Sequence, residues 1–507
     1  METKLKEAYV KTADYCYQGT IEENGVASFL GIPYAKPPIG SRRFEAPQPL
    51  DPVENHPLRV ATSPGPISFQ DSETAPLWNH QEQVMSEDCL YLNIFTPAKE
   101  ATDKLPVLFW IHQGASLYGA GSDQLLHGKN LAKKGIIVVT FNYRLGVLGF
   151  LAHPELSNQT ESETSGNYGV LDILAALDWV KERIADFGGN PNHIIMGGQS
   201  AGAGATAYLL TSPELKVSLK GAIMLSTAPM SYPDIPYSLA YYEKSGQAYM
   251  EQFGLTTYQQ LKTAPVSTWL NKSPAIPGHF SFARDNLLFK EELKGCFEKG
   301  HYQKVPILMG MTKDEFSRGV TYGKQWSKKQ CYQQVQSILG EKTEEFLHKG
   351  FLRDSKDLAK EFKSIFGGEW ALAEMIHSAN WLKHYQEDVY LYRFDQAPPR
   401  DQADFYGATH CDDLFYVFGT FDTADFAWRK EDYQLGETMQ DYFVSFIKTG
   451  HPNDSSKIYW PAWQGQQLMY FGGQETPCRS RELEQAPRLQ YLINARYFKW
   501  KRMKINE

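Results

Sequence analysis

The sequence contains few cysteines, no long apolar run and no block of basic residues. Its six cysteines among 507 residues form no CxxC pair and no zinc-ligand pattern, which favours free thiols in a reducing compartment. No stretch of about 18 apolar residues occurs, so no membrane-spanning helix is expected. The net charge is −8, and the lack of a basic cluster argues against a nucleic-acid partner. Because residues 1–19 contain no apolar signal-peptide core, we expect a cytoplasmic protein.

Length and composition allow a large buried core. With 42% hydrophobic residues, the chain could form two or three domains by length alone, but it contains no repeat and no linker-like segment. We therefore expect one domain over residues 1–507, with long insertions. The charge-studded amphipathic helices predicted over residues 325–385 are interpreted as a helical lid or side region of that domain.

From residue 105 onwards, apolar strand-like runs alternate with helical patterns. Uninterrupted apolar runs are typical of parallel strands that are covered on both faces. This order predicts an α/β protein with a mostly parallel central sheet flanked by helices. Residues 8–34 alternate around turn glycines and predict a small N-terminal antiparallel sheet. The predicted strands are residues 27–32, 90–95, 106–111, 136–141, 194–196, 221–225, 305–310 and 389–394, with a helix over 171–187.

Residues 193–210 read as a strand, a sharp turn and a helix, with Ser200 at the apex. In residues 198–202, Gly-Gln-Ser-Ala-Gly, the turn would hold Ser200 in a strained backbone conformation that keeps its hydroxyl clear of the sheet. The flanking glycines would let strand and helix approach each other. The helix N-terminus would point towards a developing oxyanion. A glycine-rich turn with a capping serine is the alternative, so other loops must supply the context.

Residues 112–116 follow a predicted strand at the edge of the sheet where such folds bind ligands. Backbone amides of small residues at this place can approach a substrate oxygen closely, and a second donor would be the amide of Ala201, directly after Ser200. A plain glycine turn is the alternative. The position of this loop ahead of the serine favours an oxyanion-binding loop.

An acidic loop and a histidine loop follow further along the chain. Asp314 and Glu315 come after the strand at 305–310, and either could orient a histidine, although a solvated acidic turn is equally consistent with the sequence. His410 could take the serine proton and return it near neutral pH. A thiol nucleophile at Cys411 is disfavoured because adjacent side chains rarely face each other. The order serine, acid, histidine is the one expected of a nucleophile-elbow fold.

Six further motifs are distributed almost end to end. They are FLGIPYAKPP at 29–38, SEDCLYLN at 86–93, NYRLGVLGF at 142–150, GNYG at 166–169, GHPN at 450–453 and YWP at 459–461. Together they resemble the type B carboxylesterases, the family of bacterial para-nitrobenzyl esterases, animal carboxylesterases and cholinesterases. The resemblance implies an α/β-hydrolase fold and serine ester hydrolysis without a cofactor or metal.

Carried over by motif position, the resemblance implies a role for each candidate. Ser200 would be the nucleophile, Glu315 the acid and His410 the base, and the family pattern selects Glu315 over its neighbour Asp314. Ser226 matches a serine that supports the acid–base pair. The oxyanion-hole amides would come from Gly114, Ala115 and Ala201. Ala115 resembles the bacterial branch of the family.

Several residues depart from the family pattern. Gln113 stands where the family usually has glycine, which costs on the order of 1 kcal/mol if that backbone needs a positive φ, and its amide would then enter the site. Ser116, often phenylalanine, would open the pocket, and Phe316, usually glycine, would crowd it. Gln199 replaces a frequent glutamate and removes a charge beside the histidine. The residues predicted to line the substrate site are Gln113, Ser116, Leu117, Gln199 and Phe316.

Two cysteine positions also differ from the family. Cys411 replaces a usual glycine after the histidine. Cys89 matches a disulfide cysteine of the family, but the partner position is Ser68. That bridge is therefore expected to be absent, which fits a reducing cytoplasm.

The predicted reaction is two-step acyl transfer from small to medium hydrophobic esters to water. Its partners would be the ester and water, without nucleic acid or membrane, and the protein would be a bacterial monomer or weak homodimer. One alternative is amide or carbamate hydrolysis at the same site. Another is a catalytically impaired, esterase-like interaction module.

Overall fold

The structure is a computed structural model of the chain. It describes residues 5–70, 83–229, 238–270, 282–285, 287–316, 327–340, 343–348, 364–454, 458–473, 478–482, 489 and 492. The strands are β1 Tyr9–Lys11, β2 Cys16–Gln18, β3 Thr20–Ile21, β4 Ala27–Pro33, β5 Leu58–Val60, β6 Tyr91–Thr96, β7 Leu105–Ile111, β8 Ile137–Phe141, β9 Gly189–Gln199, β10 Gly221–Leu225, β11 Ile307–Thr312, β12 Val389–Phe394, β13 Gln467–Phe471 and β14 Cys478–Glu482.

Helices lie between most of these strands. They are α1 Lys129–Ala132, α2 Gly146–Phe150, α3 Pro154–Ser157, α4 Tyr168–Arg183, α5 Ala201–Thr211, α6 Leu239–Glu251, α7 Tyr258–Thr263, α8 Leu293–Lys299, α9 Lys328–Leu339, α10 Thr343–His348, α11 Trp370–Leu382, α12 Ala403–Tyr406, α13 Leu414–Phe418 and α14 Lys430–Thr449. Short 3₁₀ turns include Gln124–Leu126 and Ile184–Phe187.

The large sheet has the strand order β14-β13-β12-β11-β10-β9-β7-β8-β6-β4-β3. Its middle, from β8 to β13, is parallel, and the strands at both ends pair antiparallel. Because parallel strands run in one direction, the carboxyl ends of β7, β9, β10 and β11 meet at one edge. The predicted mostly parallel central sheet of an α/β protein is confirmed.

Both faces of the sheet are buried, as the apolar runs predict. In β7, Val107, Phe109 and Ile111 pack into the core on one face, whereas Leu108 and Trp110 pack into the core on the other. The helix α4 covers the first face and α14 covers the second. Helices on both faces explain why β7, β8 and β10 carry almost no polar residues.

The predicted small N-terminal sheet is present, but one of its pairings is parallel and its strands are not all those predicted. The small sheet has the order β1-β2-β5, in which β2 pairs antiparallel with β1 but parallel with β5. The strand β4, which we assigned to this sheet, instead pairs with β6 of the large sheet. Pairing partners are set by long-range packing, so local alternation alone could not assign them.

The start of one predicted strand also moved by several residues. The strand β9 begins at Gly189 rather than Ile194, because Gly189 pairs with Leu105 of β7. The helix before it ends as predicted, since Gly188 adopts a left-handed φ of 82° at the helix end.

The predicted helical region at 325–385 contains α9, α10 and α11, while residues 325–326, 341–342 and 349–363 lie outside the described residues. A lid function for it stays a prediction, as does the single-domain assignment. Within the described part of the chain, no helix has the length and apolarity needed to cross a bilayer.

The cysteines behave as predicted in the described part of the chain. Cys16, Cys89, Cys296, Cys411 and Cys478 are free and buried. Cys89 is hydrogen-bonded to Ser68, the residue that occupies the place of a disulfide partner.

A buried ion pair connects the segment after β8 to α4. Nη2 of Arg144 lies 2.7 Å from Oδ1 of Asp172, while Nε and the backbone N–H of Arg144 donate to Oδ2 at 2.8 and 3.0 Å. Both side chains are at most 2% exposed. Such a pair fixes geometry, and removing one partner leaves an uncompensated charge in the core.

We expect Arg144→Met to lower the free energy of unfolding by about 3–5 kcal/mol, because Asp172 would stay buried without its partner. Urea unfolding followed by fluorescence measures the change. The matched control is Lys216→Met, since the Lys216–Glu214 pair is long, at 3.5 Å, and exposed, and should contribute less than about 1 kcal/mol. Equal losses of unfolding free energy in the two variants would contradict the structural importance of the Arg144–Asp172 pair.

Candidate active site

Ser200 lies in the connection between β9 and α5 with φ 54° and ψ −120°. This left-handed conformation is strained for a serine. Its backbone N–H donates to the carbonyl of Leu225 at 2.8 Å, which ties the turn to β10. The strained strand-to-helix turn predicted from residues 198–202 is thus present.

Two glycines make this turn possible. A Cβ on Gly198 would lie 2.4 Å from the backbone of Gly202, and one on Gly202 would lie 2.1 Å from the carbonyl oxygen of Ile111. These contacts are far below van der Waals distance. The glycines are therefore required by close backbone approach, as the sequence predicted.

The loop after β7 presents backbone amides beside this turn. Gly114 has φ 116°, and a Cβ there would overlap the carbonyl oxygen of Tyr118 at 1.7 Å. Ala115 and Ser116 also have left-handed φ values, 55° and 61°. Within the described residues, no acceptor is found for the backbone N–H of Gly114, Ala115 or Ala201. Donors without an internal acceptor suit the binding of an anionic oxygen.

Gln113 does not carry the strain considered above. Its φ is not positive, so no conformational cost arises there. Its side chain is fully buried, and Nε2 donates to Oδ2 of Asp123 at 3.2 Å. The amide is thus bound by a carboxylate inside the protein, and the structure gives no support for a substrate contact by Gln113.

Glu315 lies just after β11, and its carboxylate is held on both oxygens. Oε1 accepts hydrogen bonds from Oγ of Ser226 at 2.6 Å and from the backbone N–H of Thr312 at 2.7 Å. Oε2 lies 2.5 Å from Nδ1 of His410. The neighbouring Asp314 points elsewhere and accepts from the backbone N–H of Ala408 at 3.1 Å. The geometry therefore separates two acids that the residues alone left open.

The charge around His410 favours its protonated form. Burial alone would lower the pKa of His410, but the charge and hydrogen bond of Glu315 outweigh burial, with further contributions from Asp413 and Asp412. The pKa of His410 is therefore raised above its ordinary value. Since Glu315 contacts Nδ1, the proton of the neutral ring resides there, and Nε2 has the free lone pair.

Gln199 and Phe316 both contact the imidazole of His410. Nε2 of Gln199 lies 3.3 Å from Nε2 and 3.5 Å from Nδ1 of the ring. Because the two distances are nearly equal, a Gln199 Nε2 atom in the plane of the ring would overlap Cε1, the carbon between the two nitrogens. The amide therefore lies over the face of the ring, where it is a weak hydrogen-bond donor. The Phe316 ring stacks on His410 at a centroid distance of 5.8 Å. In the described structure, no hydrogen bond joins Ser200 to His410.

Two residues that hold the histidine loop were not predicted. Arg400 donates from Nη1 to Asp412 at 2.8 Å and from Nη2 to the carbonyl of Gly407 at 3.0 Å. Asp413 accepts from the Tyr392 hydroxyl at 2.6 Å, and burial raises the pKa of Asp413 to about 7. Neither carries a sequence signal, because an arginine–aspartate contact has no fixed spacing and one aspartate in a loop is common.

Cys411 also lies in this loop but is unsuited to act as a nucleophile. Its φ is 71°, and the side chain is buried. Burial, followed by the charge of Asp413, raises the pKa of the Cys411 thiol well above its ordinary value. A thiol that stays protonated is a poor nucleophile.

The chain is similar to known proteins over most of its length. Residues 16–492 match the model of the carboxylesterase family. The chain is 34% identical to the para-nitrobenzyl esterase of Bacillus subtilis, covering 87% of this chain and 90% of that protein. It is 30% identical to the fumonisin B1 esterase of Sphingopyxis macrogoltabida, covering 92% and 87%. A solved PNB esterase structure superimposes with a TM-score of 0.80 at 30% identity, covering 96% of this chain and 99% of that one.

The tight approach of α5 to β7 yields a prediction about stability. Gly202→Ala should lower the free energy of unfolding by about 1–3 kcal/mol, because its Cβ would overlap the carbonyl of Ile111. The matched control is Gly295→Ala in α8, where a Cβ meets nothing within 4 Å and the helix should gain about 0.5–1 kcal/mol. The midpoints of urea unfolding of both variants measure these changes. An unchanged midpoint in Gly202→Ala would contradict the close approach of Gly202 to the Ile111 carbonyl.

Proposed function

The chain belongs to the carboxylesterase family and is a carboxylic ester hydrolase with an α/β-hydrolase fold, and we propose that it works through an acyl-enzyme formed on Ser200. The observation that carries the proposal is the contact of Glu315 with Nδ1 of His410 at 2.5 Å, together with the strained backbone of Ser200 at the end of β9. Its substrates are an ester and water.

In the first step, Oγ of Ser200 attacks the ester carbonyl carbon while Nε2 of His410 takes the hydroxyl proton. The required lone pair lies on Nε2, because Glu315 accepts the hydrogen bond from Nδ1. This step requires the Ser200 hydroxyl to approach that nitrogen when substrate binds, since catalytic hydrogen bonds often tighten only then. Glu315 stabilises the resulting imidazolium.

The carbonyl oxygen becomes an anion in this step, and we assign its stabilisation to the amides of Gly114, Ala115 and Ala201. They lie at the carboxyl end of β7 and the N-terminus of α5. A well-placed donor contributes about 3 kcal/mol to the stability of the tetrahedral state. The positive end of the α5 dipole adds to this effect.

Collapse of the tetrahedral state breaks the bond to the alcohol oxygen, which takes the proton from His410 and leaves. Water then attacks the acyl group, and His410 accepts a proton from water and returns it to Oγ of Ser200. The products are the acid and the free enzyme. Ser226 supports the pair by its hydrogen bond to Glu315.

For the substrate, we propose small to medium hydrophobic esters. Phe316 places an aromatic face beside His410, and the partly buried Leu117 follows the oxyanion loop and packs against the core. Ser116 is small where the family often has an aromatic ring. We also propose a cytoplasmic location, which the free thiols of the described cysteines support.

Hydrolysis of short and medium para-nitrophenyl esters by the wild type and Ser200→Ala tests the nucleophile. We expect wild-type turnover to fall by about 10³-fold or more in the variant, because it lacks the hydroxyl proposed to form the acyl-enzyme. Ser162→Ala is the matched control, since it removes an exposed serine hydroxyl that is hydrogen-bonded to Thr164 and leaves the proposed nucleophile in place. Equal turnover by the wild type and Ser200→Ala would refute the proposal. Anilide analogues in the same assay distinguish ester from amide cleavage.

The pH dependence of kcat/KM tests the acid–base pair. Activity should be lost as the pH falls through the pKa of His410, because imidazolium cannot accept a proton. Since Glu315 raises that pKa, the acid limb should lie above the ordinary value of 6.5. Glu315→Gln should move the limb to lower pH and reduce kcat by about 10³–10⁴-fold.

The control for this pH profile is Asp314→Asn, which keeps an acceptor for the Ala408 amide and leaves in place Glu315, the largest cause that raises the pKa of His410. Its acid limb should coincide with that of the wild type. If the acid limb moves in Asp314→Asn but stays in place in Glu315→Gln, the acid of the triad is Asp314 and the assignment to Glu315 is wrong.

A further inference from the structure

The oxyanion loop contains a side-chain contact that the proposed reaction does not use. Gln113 directly precedes Gly114, is fully buried, and donates from Nε2 to Oδ2 of Asp123 at 3.2 Å. Its Oε1 has no hydrogen-bond partner in the described structure. A buried amide with one unsatisfied oxygen is unfavourable by itself, and the hydrogen bond from Nε2 to Asp123 offsets part of that cost.

Asp123 is a fixed point of the fold. Its Oδ1 accepts from the backbone N–H of Leu125 at 3.0 Å and so caps the short 3₁₀ helix Gln124–Leu126. The carbonyl of Leu125 in turn accepts from Oγ1 of Thr420 at 3.0 Å. The Gln113 amide is therefore attached to a segment that is anchored independently of the loop.

The backbone that follows Gln113 towards Asp123 is strained. Gly114, Ala115 and Ser116 have consecutive left-handed φ values of 116°, 55° and 61°. Such a conformation persists only when its surroundings restrain it. The Gln113–Asp123 hydrogen bond restrains the loop at Gln113, the residue directly before the strained segment.

A second contact of Gln113, made by its backbone carbonyl, bears on the orientation of one peptide group. The carbonyl oxygen of Gln113 accepts a hydrogen bond from Nδ1 of His112 at 2.7 Å. In a planar trans peptide, fixing this oxygen also fixes the opposite N–H, which belongs to Gly114. The side chain and the carbonyl of Gln113 are thus both restrained, and together they aim the Gly114 N–H.

We propose that Gln113 is a positioning residue that, through Asp123, holds the Gly114 amide in the orientation needed to stabilise the oxyanion. The inference rests on the proposed ester hydrolysis at Ser200. Gln113 touches neither substrate nor reacting atoms in this role. It replaces the freedom of a glycine at this place with a side-chain restraint.

The experiment compares Gln113→Met, which keeps side-chain length but cannot donate, with Asp123→Ser. Serine still caps the 3₁₀ helix but is too short to reach Gln113. Both variants should lower kcat for a para-nitrophenyl ester about tenfold to a hundredfold, with KM changed by less than about threefold, because only transition-state binding is impaired. The control is Gln247→Met, which removes an exposed amide contact with Glu251 in α6.

A trifluoromethyl ketone provides a readout that a general loss of structure would not produce. Ser200 adds to its carbonyl, the proton passes to His410, and the resulting oxyanion occupies the proposed hole. Its inhibition constant should rise in proportion to the loss of kcat/KM in both variants, with active sites counted by a phosphonate titrant. The double variant should be no worse than either single variant, because both remove the same contact.

Wild-type kcat and inhibitor affinity in Gln113→Met, or additive losses in the double variant, would overturn the inference while Ser200-dependent turnover stands. Absence of Ser200-dependent turnover in the wild type would instead remove the proposed function and this inference with it. If Gln113→Met does not fold, Asp123→Ser decides alone: a loss of kcat at unchanged KM supports the role, and wild-type kinetics overturn it.

Discussion

The arrangement of the site depends on one buried carboxylate. Glu315 is 2% exposed, and a charge so far from water must have its oxygens hydrogen-bonded. Ser226, at the end of β10, and Thr312, at the end of β11, donate to one oxygen, while His410 contacts the other. Because satisfying this carboxylate requires all three, the two strand ends and the histidine loop hold a single relative position.

The parallel register brings these groups to the same level of the sheet. Gln199 pairs with Leu225 across β9 and β10, and Leu225 pairs with Gly310 across β10 and β11. One residue further, the N–H of Ser200 donates to Leu225 and the N–H of Ser226 donates to Gly310, both at 2.8 Å. Both serines then turn away with left-handed φ values of 54° and 56°. Adjacent strands therefore end in bends at equal height, where their side chains can meet.

The sequence predicts those parts of the structure that short-range chemistry determines. Apolar runs located β7, β10 and β12 within one residue, and the glycines around Ser200 predicted a close approach that the structure contains. The sequence alone could not predict long-range strand pairing. For that reason β4 was assigned to the wrong sheet, and β5, the parallel partner of β2, was missed. In the same way, Arg400 and Asp413 support the histidine loop through contacts that only the folded chain creates.

The departures from the family pattern show why residue identity alone is a poor guide to side-chain direction. Glutamine at position 113 suggested either backbone strain or an amide in the site, yet the strain falls on Gly114, Ala115 and Ser116, and the amide turns inward to Asp123. Glutamine at position 199 removes a charge, but its amide lies over the face of His410. Its position leaves the Nε2 lone pair in the ring plane available to a hydroxyl. Two polar substitutions next to reacting groups are thus compatible with the same chemistry, because neither takes the hydrogen-bonding direction that the chemistry needs.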